Sequence, residues 1–321
     1  MSVLVLVEHD RASIVPATFE ALTFARTLGD PVHALVIGGP RAAAAAELGA
    51  FGADVVHVAD HELLADYGPQ TWGHTLAEAV RTLAPDTVVA TGTDVGNEVL
   101  AHAAAILDVA FAANCTVVGD LVEGRRLVTR LRWGGSLLED AGIAGTPIVL
   151  SVAHHAVDPV PAAASATVET FAPSLDPAWA ASVVAGRVER AAGVTLATAG
   201  VVVGGGLGVG SAEGFAPLEE LAAALGGVVG CSRAVTNNGW RNHTDQVGQT
   251  GTRIAPELYV ACGISGAIQH WVGAMASKKI LAVNTDPNAN MVAKADYAVI
   301  GDLHAVVPAI TAEIRRRRSG G

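Results

Sequence analysis

Residues 246–270, QVGQTGTRIAPELYVACGISGAIQH, hold the side chains best suited to chemistry, because two polar turns flank one apolar strand. Gly248, Gln249, Thr250 and Gly251 form a small loop with an amide and a hydroxyl to offer. Residues 258–261 read as a central strand ending at Gly263, and Ser265 and Gly266 then open a helical pattern carrying Ile268, Trp271, Val272 and Met275. A glycine–serine turn from strand into helix leaves backbone N–H groups without partners, and phosphate is their usual guest. Residue types alone leave two readings open, an anion site or an ordinary tight turn between strand and helix.

Such a site needs strands that end together. Apolar stretches at 194–203, 227–230, 258–261, 280–284 and 297–300, with helical patterns at 217–225 and 303–315, predict a doubly wound parallel sheet of five strands. Polar residues gather just beyond those strands: the glycine run 204–210, Ser232 and Arg233, Gly263 to Gly266, Asn284 with Asp286, and Gly301 with Asp302. Ligands of such sheets sit outside the carboxyl ends. The glycine run reads as a place where side chains are removed so that backbone can approach a ligand, although it lacks the GxGxxG spacing of a dinucleotide fingerprint.

The first half repeats the alternation. Strands at 3–7, 32–37, 55–58 and 87–90 and helical patterns at 16–28, 42–49 and 71–83 predict an N-terminal parallel-sheet, nucleotide-binding-like domain. Glycine-interrupted strands across 117–151, including 127–133 and 148–151, predict antiparallel excursions, and the Pro- and Ala-rich 157–180 reads as a connection. Thr91, Gly92 and Thr93 end a strand in a nucleotide-type turn. His154, His155 and Asp158 are close enough in sequence to suggest a metal, but no second ligand cluster accompanies them, and they read as a loop at a subunit boundary. The fold class is therefore α/β in two domains, 1–188 and 189–321.

Composition narrows the function. A formal charge of −11 is wrong for a nucleic-acid groove, and the basic run 315–318 reads as a solvated helix end. Cys115, Cys231 and Cys262 stand far apart beside apolar segments, as core residues of a reducing compartment. With a strand at the N-terminus, no basic leader and no apolar stretch of bilayer length, a cytoplasmic protein without membrane insertion is expected. No GxSxG, P-loop or HExxH pattern offers a catalytic engine.

The phrases QVGQTG, APELYVACGISGAIQH, AVNTDPNA and ADYAVIGDL together resemble the alpha subunit of electron transfer flavoprotein, in one register from about 204 to 308 and more loosely before it. The resemblance implies a C-terminal FAD-binding domain and an N-terminal domain contacting a beta subunit that carries AMP. It implies an electron carrier rather than an enzyme, taking electrons from flavin dehydrogenases, as in fatty acid beta-oxidation, to a downstream acceptor. By the same resemblance Arg233, after Ser232 in GCSRAV, lies against the isoalloxazine face, and Val247, Gly248, Gln249 and Thr250 line the ring, with the Thr250 hydroxyl at N5. Ser265, Gly266, Ala267, Ile268 and Gln269 would serve the pyrophosphate and ribityl chain. Asn284, Asp302 and Leu303 would hold the adenosine end, although Asn and Asp are also common turn residues.

His270 is expected near the flavin C2 carbonyl, where a protonated ring would favour added negative charge and let the potential follow pH; a lone histidine on a helix is otherwise a packing residue. Two positions depart from the family pattern. Leu207 stands where the family places an arginine between the glycines, and SVAHHAV replaces an arginine and proline. Leu207 keeps open a scaffold subunit with weakened flavin binding, and a related sheet in an NAD-linked enzyme is the other alternative.

Overall fold

A computed structural model describes residues 1–38, 42–162, 165–185 and 194–319. The chain divides into two compact units, Met1–Glu189 and Arg190–Gly321. The expected division after residue 188 falls within 186–193, outside the described residues.

The first unit is built on β1 (Val3–Val7), α1 (Ala17–Leu28), β2 (Val32–Ile37), α2 (Ala42–Ala50), β3 (Val55–Ala59), α3 (Pro69–Leu83), β4 (Thr87–Thr91) and α4 (Asp94–Leu107). Then come β5 (Phe111–Val122), β6 (Arg125–Arg132), β7 (Leu137–Ala144), β8 (Ile148–Val152) and β9 (Thr167–Phe171). They form one nine-stranded sheet in the order β7-β6-β5-β8-β4-β1-β2-β3-β9. The strand β1, VLVLV, is buried along its whole length, as a strand covered on both faces must be. Pro69 opens α3, and the Thr93 hydroxyl caps α4 by accepting Gly96 N–H at 3.0 Å.

Three expectations for this unit change. Residues 148–151 belong to no excursion: β8 lies parallel between β4 and β5, and only β5, β6 and β7 pair antiparallel. Residues 157–180 contain β9, which extends the sheet beside β3; four of its five residues are exposed, so apolar periodicity gave no sign of it. The helix α4 went unnamed because DVGNEVLAHAAAIL opens on polar residues and continues in alanine.

The second unit holds β10 (Val201–Gly205), α5 (Ala216–Leu225), β11 (Val228–Cys231), α6 (Arg233–Asn237), β12 (Leu258–Cys262), α7 (Ile268–Ala274), β13 (Ile280–Asn284), α8 (Asn290–Lys294), β14 (Tyr297–Ile300) and α9 (Leu303–Ser319). Its five strands are all parallel in the order β11-β10-β12-β13-β14. The first strand starts at Val201, not 194, because Thr195 and Thr198 close a polar turn before it. One face packs Val203, Val260 and Val283 beneath α5 and α9; the other packs Val202, Tyr259 and Ala261. Burying each valine contributes roughly 1.5–3 kcal/mol.

The strand order reverses between β10 and β12, so the crevice of this sheet opens beyond Gly205 and Cys262. Cys115, Cys231 and Cys262 are free and buried, and burial pushes each thiol up to about 12. Near the C-terminus Arg316 and Arg317 pair with Glu313, and Arg315 pairs with Glu220, a solvated helix end as expected.

Candidate functional site

At the strand ends of the second unit the predicted residues fall into two groups. The first is a wall made from the end of β11, the loop 246–252 and the start of α7. Val247 N–H donates to Cys231 O at 2.9 Å, which ties the loop to β11. Gln249 N–H donates to Gln269 O at 2.7 Å, which ties the same loop to α7. The approach is close enough to demand glycine on both sides: a Cβ on Gly273 would lie 2.3 Å from Gly248 Cα. Ser232 and Arg233 thus stand on one wall with Val247, Gly248, Gln249, Thr250, Gln269 and His270.

Sequence reasoning missed the residue that sets this wall. Gln246 is 2% exposed, and its Nε2 donates to Thr250 Oγ1 at 3.0 Å while its Oε1 lies 2.9 Å from Thr236 Oγ1. Thr236 Oγ1 is also 2.9 Å from Arg233 O. A buried amide therefore links the Arg233 turn to the Thr250 hydroxyl, and nothing but its place before VGQTG could have signalled it. Arg233 itself is exposed and makes no side-chain hydrogen bond or ion pair among the described residues.

His270 is buried, and its Nε2 lies 2.8 Å from the hydroxyl of Tyr259, a fully buried residue of β12. With no other hydrogen bond for that hydroxyl, Tyr259 donates and the imidazole proton belongs on Nδ1; this tautomer is assigned from the network. Nδ1 is buried without a hydrogen-bond partner among the described residues. Burial lowers the His270 pKa to about 4, opposed by the Val247 backbone beside the ring. Burial thus favours the neutral ring in the flavin-free chain. Tyr259 is a second missed residue; its periodic place in an apolar strand reads only as core.

The second group surrounds the crevice. A cavity of about 200 Å³ is lined by Gly208, Gly263, Ser265, Asn284, Asp302 and Leu303, with Thr285, Asp286, Ala289 and Gly301 completing it. The Asn284 amide is engaged locally, donating to Ile264 O at 3.0 Å and accepting Asp286 N–H at 3.1 Å. Asp302 Oδ1 accepts His304 N–H at 2.9 Å, in the first turn of α9. Both residues make turns, and both line the cavity.

One expectation about backbone is corrected here. Ser265 and Gly266 do not open a helix: Met291 N–H bonds Ser265 O at 3.1 Å, Gly266 turns against α8 at φ 78°, and α7 begins at Ile268 after Ala267. Ala267, Ile268 and Gln269 are exposed. The glycines 206 and 208 also fit against a neighbouring chain segment: a Cβ on Gly206 would sit 2.2 Å from Gly263 O, and Gly208, which lines the cavity, donates its N–H to that oxygen at 3.1 Å. Leu207 between them is 54% exposed.

Comparisons with known proteins place the chain in a family. A family described as the electron transfer flavoprotein FAD-binding domain matches residues 195–275, and one described as the electron transfer flavoprotein domain matches residues 3–176. The electron transfer flavoprotein subunit alpha of Mycobacterium tuberculosis is 39% identical over 319 residues, covering 98% of this chain and 99% of that one. Protein FixB of Bradyrhizobium diazoefficiens is 36% identical over 328 residues, covering 98% of this chain and 89% of that one. Subunit alpha of Bacillus subtilis is 34% identical over 320 residues, covering 98% and 97%. With relatives matched almost end to end and both family domains in place, the chain belongs to the electron transfer flavoprotein alpha-subunit family.

Proposed function

We propose that this chain holds FAD at the carboxyl end of its second sheet and, paired with a beta subunit that carries AMP, relays electrons in the cytoplasm from flavin dehydrogenases to a downstream acceptor. The observation that carries the reading is the wall where an uncommitted arginine, a positioned threonine hydroxyl and a buried unpartnered histidine nitrogen stand together. An orphaned buried donor is costly unless a ligand satisfies it. Bound there, the flavin supplies reversible electron uptake, chemistry that belongs to the cofactor.

The chain's own residues then have separable tasks. Arg233 provides a cation at the ring, and a cation about 4 Å from a unit negative charge gains about 4 kcal/mol at an effective dielectric near 20, before desolvation is subtracted. Thr250, fixed by Gln246, offers its hydroxyl proton, and His270 Nδ1 offers a hydrogen bond without carrying charge. Val247, Gly248 and Gln249 shape the ring's edge, and Ser265 to Gln269 pass along the chain between ring and cavity. Asp302 retains one carboxylate oxygen for the adenosine end, with Leu303 and Asn284 closing the cavity around it.

Support for the partner comes from the first unit. The antiparallel strands β5 to β7 leave Val117, Leu127, Leu138 and Trp133 exposed at 54, 44, 69 and 78%. Apolar surface of that kind marks an association face, and no helix among the described residues is long and apolar enough to cross a membrane. The test is an absorbance spectrum of the chain co-purified with its beta subunit. About one FAD per heterodimer supports the carrier; a colourless complex that refuses added FAD supports the scaffold reading and directs attention to Leu207. Nicotinamide-dependent turnover without flavin would instead support the NAD-linked alternative.

A further inference from the structure

Three side chains of metal-ligating type converge in the first unit, and none of them belongs to the proposed flavin site. Glu20 lies in the first turn of α1, while His154 and His155 lie in the turn after β8. The fold brings them together across more than 130 positions of sequence. One ligand atom from each lies within 4.8 Å of the others. Glu20 Oε1 is 3.3 Å from His155 Nδ1 and 4.0 Å from His154 Nε2.

The surroundings are built rather than loose. The side chains of Glu20, His154 and His155 are 7, 20 and 14% exposed. The two imidazoles stack with centroids 3.7 Å apart and planes 24° apart, so both present to one carboxylate. Glu20 Oε2 is already used, accepting His155 N–H at 2.7 Å, and this bond holds His155 in the left-handed region at φ 62°. Few residues other than glycine adopt that backbone. Held this way, the turn aims His155 back at Oε1, and the two side chains approach to 3.3 Å.

We propose that Glu20, His154 and His155 form a zinc site that clamps the first turn of α1 to the turn after β8. Two nitrogens and one carboxylate oxygen are the donor set of a three-ligand zinc centre with a position left for water. Ligand atoms on a tetrahedral Zn²⁺ are about 3.3 Å apart, given bonds of about 2.0–2.1 Å. The Glu20–His155 separation already matches; His154 would close on Glu20 by less than about 1 Å, and one imidazole would turn out of the stack so that both in-plane lone pairs reach one ion. The sequence showed only the His–His–x–x–Asp cluster; the missing third ligand is Glu20, which no spacing could have nominated.

The experiment uses the full-length, tag-free chain with its beta subunit, stripped with a chelator and titrated with Zn²⁺ against a chromophoric competitor. One Zn²⁺ per chain is expected, with a rise in melting temperature on binding, because a ligand that binds only the folded state stabilises it. Glu20→Gln keeps an acceptor for His155 N–H but loses the anionic ligand, and His154→Gln leaves that acceptor untouched. Each should weaken Zn²⁺ binding by about tenfold or more and remove the melting shift, while circular dichroism confirms the fold. The chain has 11 histidines, so binding elsewhere is the competing outcome. Absence of stoichiometric Zn²⁺ in the parent chain, or equal affinity in both folded variants, overturns the site; should Glu20→Gln misfold, His154→Gln alone decides.

Discussion

The two units share one plan, parallel strands with helices on both faces, yet they finish their strands in opposite ways. In the first, the strand ends are committed to the fold. Glu8 accepts the Thr93 hydroxyl, Thr91 donates to Ala17 O at 2.9 Å, and Thr93 also caps α4. A cavity of about 210 Å³ does lie there, but Glu8, Asp10 and Asp66 line it and Arg11 is paired with Asp66. Burial raises the Glu8 pKa, against the Thr93 bond that lowers it. In the second unit Arg233 is uncommitted and His270 Nδ1 unpartnered, and a cavity of similar volume opens among glycines, Asn284 and the carboxylates Asp286 and Asp302. Architecture does not decide where a ligand goes; the prior commitments of polar groups do. The exposed apolar face falls the other way, on the antiparallel strands of the first unit.

That contrast can be broken from either side. The largest effect should come from Leu138→Asp, which places a charge on the apolar face. Association with the beta subunit should weaken by about 3 kcal/mol, more than a hundredfold, in sedimentation experiments, while the isolated chain keeps its stability within about 0.5 kcal/mol because the site is exposed. An unchanged dissociation constant would remove this face from the interface.

Next in size is the protonation of His270 in the flavin-free chain. Its folded pKa is about 4 and its ordinary value 6.5, so the unfolded chain binds more protons between those limits. Stability is therefore complete above pH 6.5 and falls as the pH drops towards 4, by roughly 3 kcal/mol from this residue. Replacing His270 with Gln should remove that share in urea unfolding at pH 7 and 4.5. Burial also lowers the pKa of His9, His57 and His74, but those residues act equally in both proteins, so the difference isolates His270.

Smaller changes sharpen the comparison within the wall. Arg233→Ala should lower the first reduction potential of the bound flavin by about 40–90 mV, equivalent to about 1–2 kcal/mol. Leu207→Arg should move it the other way, and identical titration curves for both variants would place neither residue beside the ring. Tyr259→Phe should cost about 1 kcal/mol of stability by leaving His270 Nε2 without its donor, measured by thermal unfolding.

Much of the second unit was legible because its strands are fully buried and end in polar turns, so the periodicity and the punctuation agree. Four of its strands lie within a residue or two of the stretches expected, and the Arg233 turn is joined to Thr250 through Thr236 and Gln246. What the sequence hid is what depends on distant partners. Glycines 206 and 208 were read as ligand-facing; Gly208 lines the cavity, but the fit of both against Gly263, some fifty-five positions away, could not be read. The protonation of His270 is set by burial, opposed by the Val247 backbone, and its ring orientation by Tyr259, none of them visible in SGAIQH. An exposed edge strand such as β9 has no apolar signature to read, and the pairing of Glu20 with His155 exists only once α1 packs beside β8.

Hydrogen–deuterium exchange of the heterodimer with and without FAD tests the central contrast most directly. The account predicts slowed exchange at 232–234, 246–252, 263–270 and 301–303, with no change at 8–11 or 92–96 in the first unit. Protection at the first unit's strand ends, or none at the second's, would contradict it.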